Sequence, residues 1–333
     1  MEAKRIALVA PLNWGLGHAT RCIPLISEYL EKGWQIHMAS DGDALELLRR
    51  EFPKLIFHDL PAYDVRYSRS SESMMMTMVS QIPKIKARIS KEKKWLDRFL
   101  MNQHLDLIIS DNRYGLHHDS VKSVIICHQL NIKTPIMSGV VSGLHARYLN
   151  RFDECWIPDS EDRRLSGDLS AGELNIPVRF IGPLSRLHRA ECHCDPVPFL
   201  AILSGPEPQR SLLEKALIPV LRTIPNTILI RGIIKDESQS FDGELKIIGN
   251  LGSRKLEGLI NCSEVVICRS GYSSIMDLCA MKKEGVLIPT PGQPEQQYLA
   301  EHLKNHPLFT IIEQSEIPQK LEAMIHSRIK LLS

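Results

Sequence analysis

The apolar run Val265-Val266-Ile267-Cys268 is broken by Arg269-Ser270-Gly271, and a helical pattern starts at once with Tyr272-Ser273-Ser274-Ile275-Met276. A short apolar run, a glycine turn and an immediate helix form a strand–turn–helix unit. Units of this kind build parallel sheets covered by helices on both faces. The same turn has a chemical use, because the N–H groups of a first helical turn and the helix dipole favour a phosphate or diphosphate. Asp277 falls two turns into the helix, where a carboxylate reaches ribose hydroxyls. A second strand over 285–288 ends in a Pro/Gly turn that carries Glu295, Gln296 and Gln297, side chains suited to sugar hydroxyls. Phosphate, ribose and sugar readers in that order point to a nucleotide-sugar site.

The rest of the chain repeats the alternation. In the first half, strand-like runs at 5–10, 35–39, 55–58, 105–110, 123–127, 154–157 and 178–181 are interleaved with helical patterns at 18–31 and 44–50. In the second half, strands at 199–203, 227–230, 245–248, 265–268 and 285–288 accompany a helix at 209–222. At 333 residues the chain is long enough for two α/β domains. The expected division is an N-terminal domain over 1–184, a His/Cys/Pro-rich linker over 185–198 and a C-terminal domain over 199–318.

The segment from Cys268 to Leu303 resembles the C-terminal half of the MurG-like enzymes, glycosyltransferase family 28. Their pattern there is an R-S-G turn, an acidic ribose-binding residue and a downstream Q-Q pair near the donor sugar. The matching positions are Arg269, Ser270, Gly271, Asp277, Gln296 and Gln297. The acidic position is more often Glu in that family, so Asp277 is a shorter reach. The resemblance implies a GT-B fold, two Rossmann-like domains facing a central cleft, with helix 319–333 crossing back onto the first domain. It also implies a UDP-sugar donor, UDP-N-acetylglucosamine or a close relative, and a glycan or lipid-linked acceptor. The donor diphosphate would meet Ser270, Gly271, Tyr272 and Ser273, the ribose Asp277, and the hexose Glu295, Gln296 and Gln297. Ile248 falls in the segment whose backbone reads the uracil in that family.

Two further turns complete the expected site. Asn13-Trp14-Gly15-Leu16-Gly17-His18 follows the first strand and opens the first helix. Gly15 and Gly17 let the backbone approach a ligand closely. A dinucleotide fingerprint would need a third glycine where Thr20 stands, whereas His18 matches the family's G-G-H turn. With an unperturbed pKa of about 6.5, a histidine there suits a general base acting on an acceptor hydroxyl. Asp111, at the carboxyl end of the 105–110 strand, is placed to orient His18, to bind the acceptor or to be the base itself. His128 and Gln129 hold a similar rim position. At the start of the second domain, Ser204 and Gly205 replace the family's glycine-richer turn, and Arg210 and Arg231 offer cations to a diphosphate; a surface ion pair is the alternative role for Arg231. Asp41-Gly42-Asp43 reads as a turn with a helix N-cap. No D-x-D pair stands where a metal would hold the donor, so the expectation is no metal and no cofactor beyond the UDP-sugar co-substrate.

Hydrophobic residues make up 43% of the chain and charged residues 24%, the balance of a globular protein. A net charge of +2 argues against a dedicated nucleic-acid binder. No apolar run reaches the ~18–20 residues of a membrane helix, and the opening strand leaves no signal-like core, so the expected location is cytoplasmic. A Met-rich start and a basic middle mark residues 74–102 as a long helix. A solvated charged face is one reading of it, and an acceptor-side or membrane-surface element is the other. The eight cysteines are scattered; the Cys192-His193-Cys194 cluster lacks a second pair and reads as linker thiols rather than zinc ligands. A nucleotide-sugar hydrolase, an epimerase and a non-catalytic sugar-nucleotide binder remain alternatives on the same donor site.

Overall fold

A computed structural model of the chain describes residues 4–63, 80–133, 138–192 and 195–332. The described residues fall into two compact units, the first ending at Arg186 and the second starting at Leu187. The Met-rich stretch 74–78 and the pair His193-Cys194 lie outside the described residues.

The first unit is a seven-stranded parallel sheet in the order β3-β2-β1-β4-β5-β6-β7. Its strands are β1 (Ile6–Pro11), β2 (Gln35–Ser40), β3 (Ile56–Asp59), β4 (Leu107–Asp111), β5 (Lys122–Ile126), β6 (Glu154–Ile157) and β7 (Val178–Phe180). Its helices are α1 (Gly17–Glu31), α2 (Gly42–Glu51), α3 (Ile82–Leu100) and α4 (Ser138–Leu149). β1 and β4 are buried along almost their whole length, which is why each reads as an unbroken apolar run instead of an alternating one. They pair in parallel from Ala7 opposite Leu107 to Pro11 opposite Asp111. The chain goes from β1 outward through β2 and β3, then returns to the other side of β1 as β4. The strand order therefore reverses between β1 and β4, and a ligand crevice in such a sheet opens at that point, beyond the strands' carboxyl ends.

The second unit is also seven-stranded, in the order β10-β11-β9-β8-β12-β13-β14. The strands are β8 (Val197–Ile202), β9 (Ile228–Ile230), β10 (Gln239–Asp242), β11 (Leu245–Ile248), β12 (Ser263–Arg269), β13 (Glu284–Ile288) and β14 (Phe309–Ile311). All neighbours are parallel except β10 and β11. The helices are α5 (Gln209–Leu221), α6 (Ser253–Cys262), α7 (Tyr272–Met281), α8 (Pro294–His302) and α9 (Glu322–Leu332). Here the order reverses between β8 and β12, so the turn at Arg269-Ser270-Gly271 stands at the switch point. Gly285 on β13 lets α7 close down on the sheet, since a Cβ there would lie 2.7 Å from Leu278 Cδ1.

Three differences from the sequence expectations have physical reasons. Residues 319–333 were expected on the first domain, but Ile317, Leu321 and Ile325 are buried in one cluster with Phe199, Leu213 and Leu217 of the second unit. That apolar stripe fixes the terminal helix to its own sheet. The segment 185–198 is not a loose linker throughout: Leu187 is buried, the N–H groups of His188 and Ala190 donate to Glu257 Oε2 and Asn261 Oδ1, and Cys192 is disulfide-bonded to Cys262. Cys192 and Cys262 are thus paired rather than free thiols, whereas Cys127 and Cys268 are buried and unbridged. Asp41 does stand at the N-cap position of α2, but its side chain does not cap the helix. Among the described residues no helix is long and apolar enough to cross a membrane.

Candidate active site

Asp111, the last residue of β4, is fully buried, and its two carboxylate oxygens are shared by Arg21, His18 and the Cys22 thiol, whose Sγ lies 3.7 Å from Oδ2. Arg21 Nε donates to Oδ2 at 2.6 Å and Arg21 Nη2 donates to Oδ1. His18 Nδ1 lies 2.8 Å from Oδ1. His18 opens α1 directly after the Gly15/Gly17 turn, and Arg21 follows it by three residues, on the same face of the helix. Strand pairing does the rest: Pro11 opposite Asp111, and Leu12 N–H donating to the Asp111 carbonyl at 2.9 Å, hold the β1–α1 turn over the end of β4.

The protonation pattern follows from these contacts. Burial opposes charge on Asp111, but the Arg21 guanidinium outweighs it, with His18 and the hydrogen bonds of both adding to the effect. The carboxyl is held well below its usual range. His18 Nδ1 also lies 2.9 Å from Arg21 Nη2, so the ionised carboxylate favours a proton on that nitrogen while the guanidinium favours a lone pair there. Burial lowers the His18 pKa below 6.5, the Asp111 charge opposes this, and Arg21 adds to the lowering. The lowered pKa favours the uncharged imidazole at neutral pH, and the tautomer that donates from Nδ1 to Asp111 presents Nε2 as a lone pair. The ring is 15% exposed, while Arg21 and Asp111 are closed off. Arg21 Nη1 also lies 3.1 Å from His128 Nδ1, so His128, expected at the rim, belongs to this cluster.

Beneath the turn lies a second buried network that the sequence did not signal. Arg113 is fully buried; it donates from Nε to the Pro11 carbonyl at 2.9 Å, from Nη1 to Glu92 Oε1 at 2.8 Å and from Nη2 to Asp41 Oδ1. Tyr63 Oη donates to Glu92 Oε2 at 2.7 Å, and Asn13 Nδ2 donates to Asp41 Oδ2 at 3.1 Å. This explains why Asp41 does not cap α2. The network ties α3, β2 and the β1–α1 turn to one guanidinium. It lies 21 and 72 positions from its carboxylate partners in sequence, so no local pattern betrays it.

In the second unit the α7 N-terminus has Gly271 as its N-cap, no side-chain cap and no acidic residue in its first turn. Its positive end is therefore not neutralised locally. The side chains expected to read the donor divide into two groups. Three are engaged by backbone and side-chain groups of the protein itself. Arg269 is 1% exposed and donates from Nη2 to the Gln209 carbonyl at 2.8 Å and from Nη1 to the Pro289 carbonyl at 3.2 Å; burial pulls its pKa down to about 10. Ser270 Oγ donates to the Gln296 carbonyl at 2.9 Å. Gln296 accepts the Thr290 N–H at Oε1 and donates to Gln293 Oε1. These groups brace the turn that leads into α7. Arg231 is likewise engaged, with Glu214 at 2.9 Å and Asp236 at 3.2 Å, as an ion-paired arginine would be. Arg210 holds Glu207 and Glu214. Tyr272 is buried, and the Ile248 carbonyl accepts the Arg231 N–H at 2.8 Å.

The second group stays accessible at the carboxyl edge of the sheet. Ser204, Gly205, Gly271, Ser273, Asp277, Glu295 and Gln297 are each partly or fully exposed there. Gly205, at φ +98°, follows the end of β8 across the switch point from Gly271.

Comparison with known proteins accords with this arrangement. Residues 235–330 match the glycosyltransferase family 28 C-terminal domain. A protein of Methanopyrus kandleri described as an uncharacterized glycosyltransferase is 21% identical over 312 residues, which cover 87% of this chain and 88% of that protein. Among solved structures, the glycotransferase of kitacinnamycin superposes with a TM-score of 0.67 at 14% identity, covering 96% of this chain and 89% of that one. MurG of Acinetobacter baumannii does so with a TM-score of 0.57 at 11% identity, covering 98% and 91%. The calicheamicin glycosyltransferase CalG4 gives 0.62 at 12% identity, covering 96% and 88%. Residues 235–330 thus match the glycosyltransferase family 28 C-terminal domain, and the chain has the GT-B fold of these solved glycosyltransferases.

Proposed function

We propose that the chain transfers a hexose, of the N-acetylglucosamine type, from a UDP-sugar to a hydroxyl of a glycan or lipid-linked acceptor in the cytoplasm. The transfer inverts the anomeric centre and uses no metal ion. The observation that carries this reading is the 2.8 Å contact of His18 Nδ1 with the buried Asp111, whose carboxyl is held well below its usual range; in the tautomer that donates to this carboxylate, Nε2 is the base. In the transfer step the acceptor oxygen forms a bond to the anomeric carbon as the bond to the UDP oxygen breaks. UDP departs with that electron pair, and the acceptor proton passes to His18 Nε2. Asp111 orients the ring and stabilises the imidazolium that forms. Asp111 is a poor base itself, because Arg21 donates to both of its oxygens.

On the donor side, the diphosphate would sit at the backbone of Gly271, Tyr272 and Ser273, at the uncapped positive end of α7. Asp277 would take the ribose, and Glu295 and Gln297 the hexose. Arg269, Ser270 and Gln296 act one step back, by fixing the turn. The test is UDP formation from a panel of UDP-hexoses in the presence of pooled glycan and lipid-linked acceptors. Acceptor-dependent UDP release, with a β-linked product from an α-linked donor, is expected. Release that water alone sustains at the full rate would make the protein a hydrolase instead.

A further inference from the structure

A small groove on the first unit, between α3 and the end of α4, is lined by Lys86, Leu144, Arg147, Tyr148 and Arg151. Its volume is about 180 Å³, below the ~300–1,000 Å³ of pockets that enclose a whole small ligand. It suits one functional group rather than an entire molecule. Three of the five lining side chains are cationic, and no described carboxylate lies within ion-pair reach of Lys86, Arg147 or Arg151. That is not the habit of the neighbouring surface, where Lys93 pairs with Asp97 at 3.4 Å. The Arg151 guanidinium lies 4.9 Å from the centroid of the Tyr148 ring, which holds its donor plane in place. The positive field is felt nearby as well: burial, then Lys93 and Arg151, push the His117 pKa down to about 4.

The groove is also connected to the candidate base. Tyr148 and Ile85 pack in one cluster with Leu12, Trp14, Tyr63 and Ile89. Leu12 and Trp14 belong to the β1–α1 turn that delivers His18. We propose that this groove binds a phosphoryl group of the acceptor, seated among Lys86, Arg147 and Arg151 with Tyr148 and Leu144 against the carbon chain beside it. Arginine forks match phosphate oxygens in pairs, and three cations with no carboxylate partner among the described residues favour a multiply charged anion. The ligand's identity as an acceptor rests on the sugar-transfer reading; the phosphoryl site itself does not.

The experiment uses the full chain with UDP saturating, so that the donor site is occupied, and follows inorganic phosphate by 31P line broadening. Wild type is expected to bind phosphate, and the Lys86→Ala/Arg147→Ala/Arg151→Ala variant to bind it at least about tenfold more weakly, since each lost charge-assisted contact is substantial. UDP affinity of that variant should equal the wild-type value, which shows that it is folded. Equal phosphate binding by both proteins, or by neither, would overturn the site. Co-sedimentation with phosphatidylglycerol vesicles separates the two sources of phosphate. Vesicle binding that depends on the three residues, together with binding of free phosphate, assigns a lipid-borne phosphoryl group. Phosphate binding without vesicle binding assigns a soluble one. Vesicle binding with no binding of free phosphate would overturn the groove in favour of diffuse surface attraction. Failure of the wild type to bind UDP would count against the sugar-transfer reading and leave the phosphate result to be read independently.

Discussion

His18→Ala is expected to lower kcat by about 10²–10⁴-fold, the usual contribution of a positioned general base, while UDP affinity stays at the wild-type value. Steady-state turnover and UDP titration of the same preparation check both halves. The pH profile of the wild type adds a second reading. Proton uptake on Nε2 removes the base, so activity falls on the acid side as His18 titrates. Burial and Arg21 lower the pKa of His18, so that fall comes at a pH below 6.5. Asp111→Asn removes the one group that raises the His18 pKa and leaves Arg21 unopposed, so its acid limb moves to still lower pH, with a reduced plateau. An acid limb that stays in place in both variants would assign the proton transfer to another group.

Arg113→Met is expected to destabilise the first unit by about 3–5 kcal/mol, because it strands the Glu92 and Asp41 carboxylates without their buried partner. For a unit of this size that corresponds to a fall of roughly 10 °C in its unfolding midpoint. Adding Glu92→Gln to Arg113→Met should recover part of the loss, since the larger penalty is a bare buried charge rather than the absent pair. Burial already raises the Glu92 pKa in the wild type, so the Arg113→Met penalty shrinks as pH falls and Glu92 takes up a proton. Thermal unfolding of the two variants at neutral and mildly acidic pH measures each of these effects. Turnover of Arg113→Met should also fall, because Arg113 braces the Pro11 carbonyl at the root of the His18 turn.

Much of the architecture is legible in the sequence for one reason. Strands buried on both faces, such as β1, β4 and β12, are written as continuous apolar runs ended by turn residues. The elements without that signature are the ones that escaped. β10 is a mostly exposed edge strand whose Phe241 is 71% exposed. α4 carries Gly139, Gly143 and two valines, which weaken its helical pattern. For the site, His18 and Asp111 could be singled out because both stand where strands end at a switch point. Arg21 was visible in the same motif, and its spacing of three residues from His18 was the signal that it shares that face. What a sequence does not carry is the direction of a polar side chain at a turn. Arg269, Ser270 and Gln296 match a donor-binding motif, yet all three hydrogen-bond backbone groups of the protein itself. Such turns need internal hydrogen bonds to hold their backbone N–H groups outward, and the motif records that need as readily as it records ligand contact.

Calorimetric titration of UDP into the wild type and Asp277→Ala, with NAD as the competing ligand, tests the central claim most directly. UDP should bind the wild type, NAD should not, and the variant should bind UDP about tenfold more weakly through the loss of its ribose hydrogen bonds. No heat with UDP, or binding of NAD in preference to it, would contradict a nucleotide-sugar site at the start of α7 and the sugar-transfer account built on it.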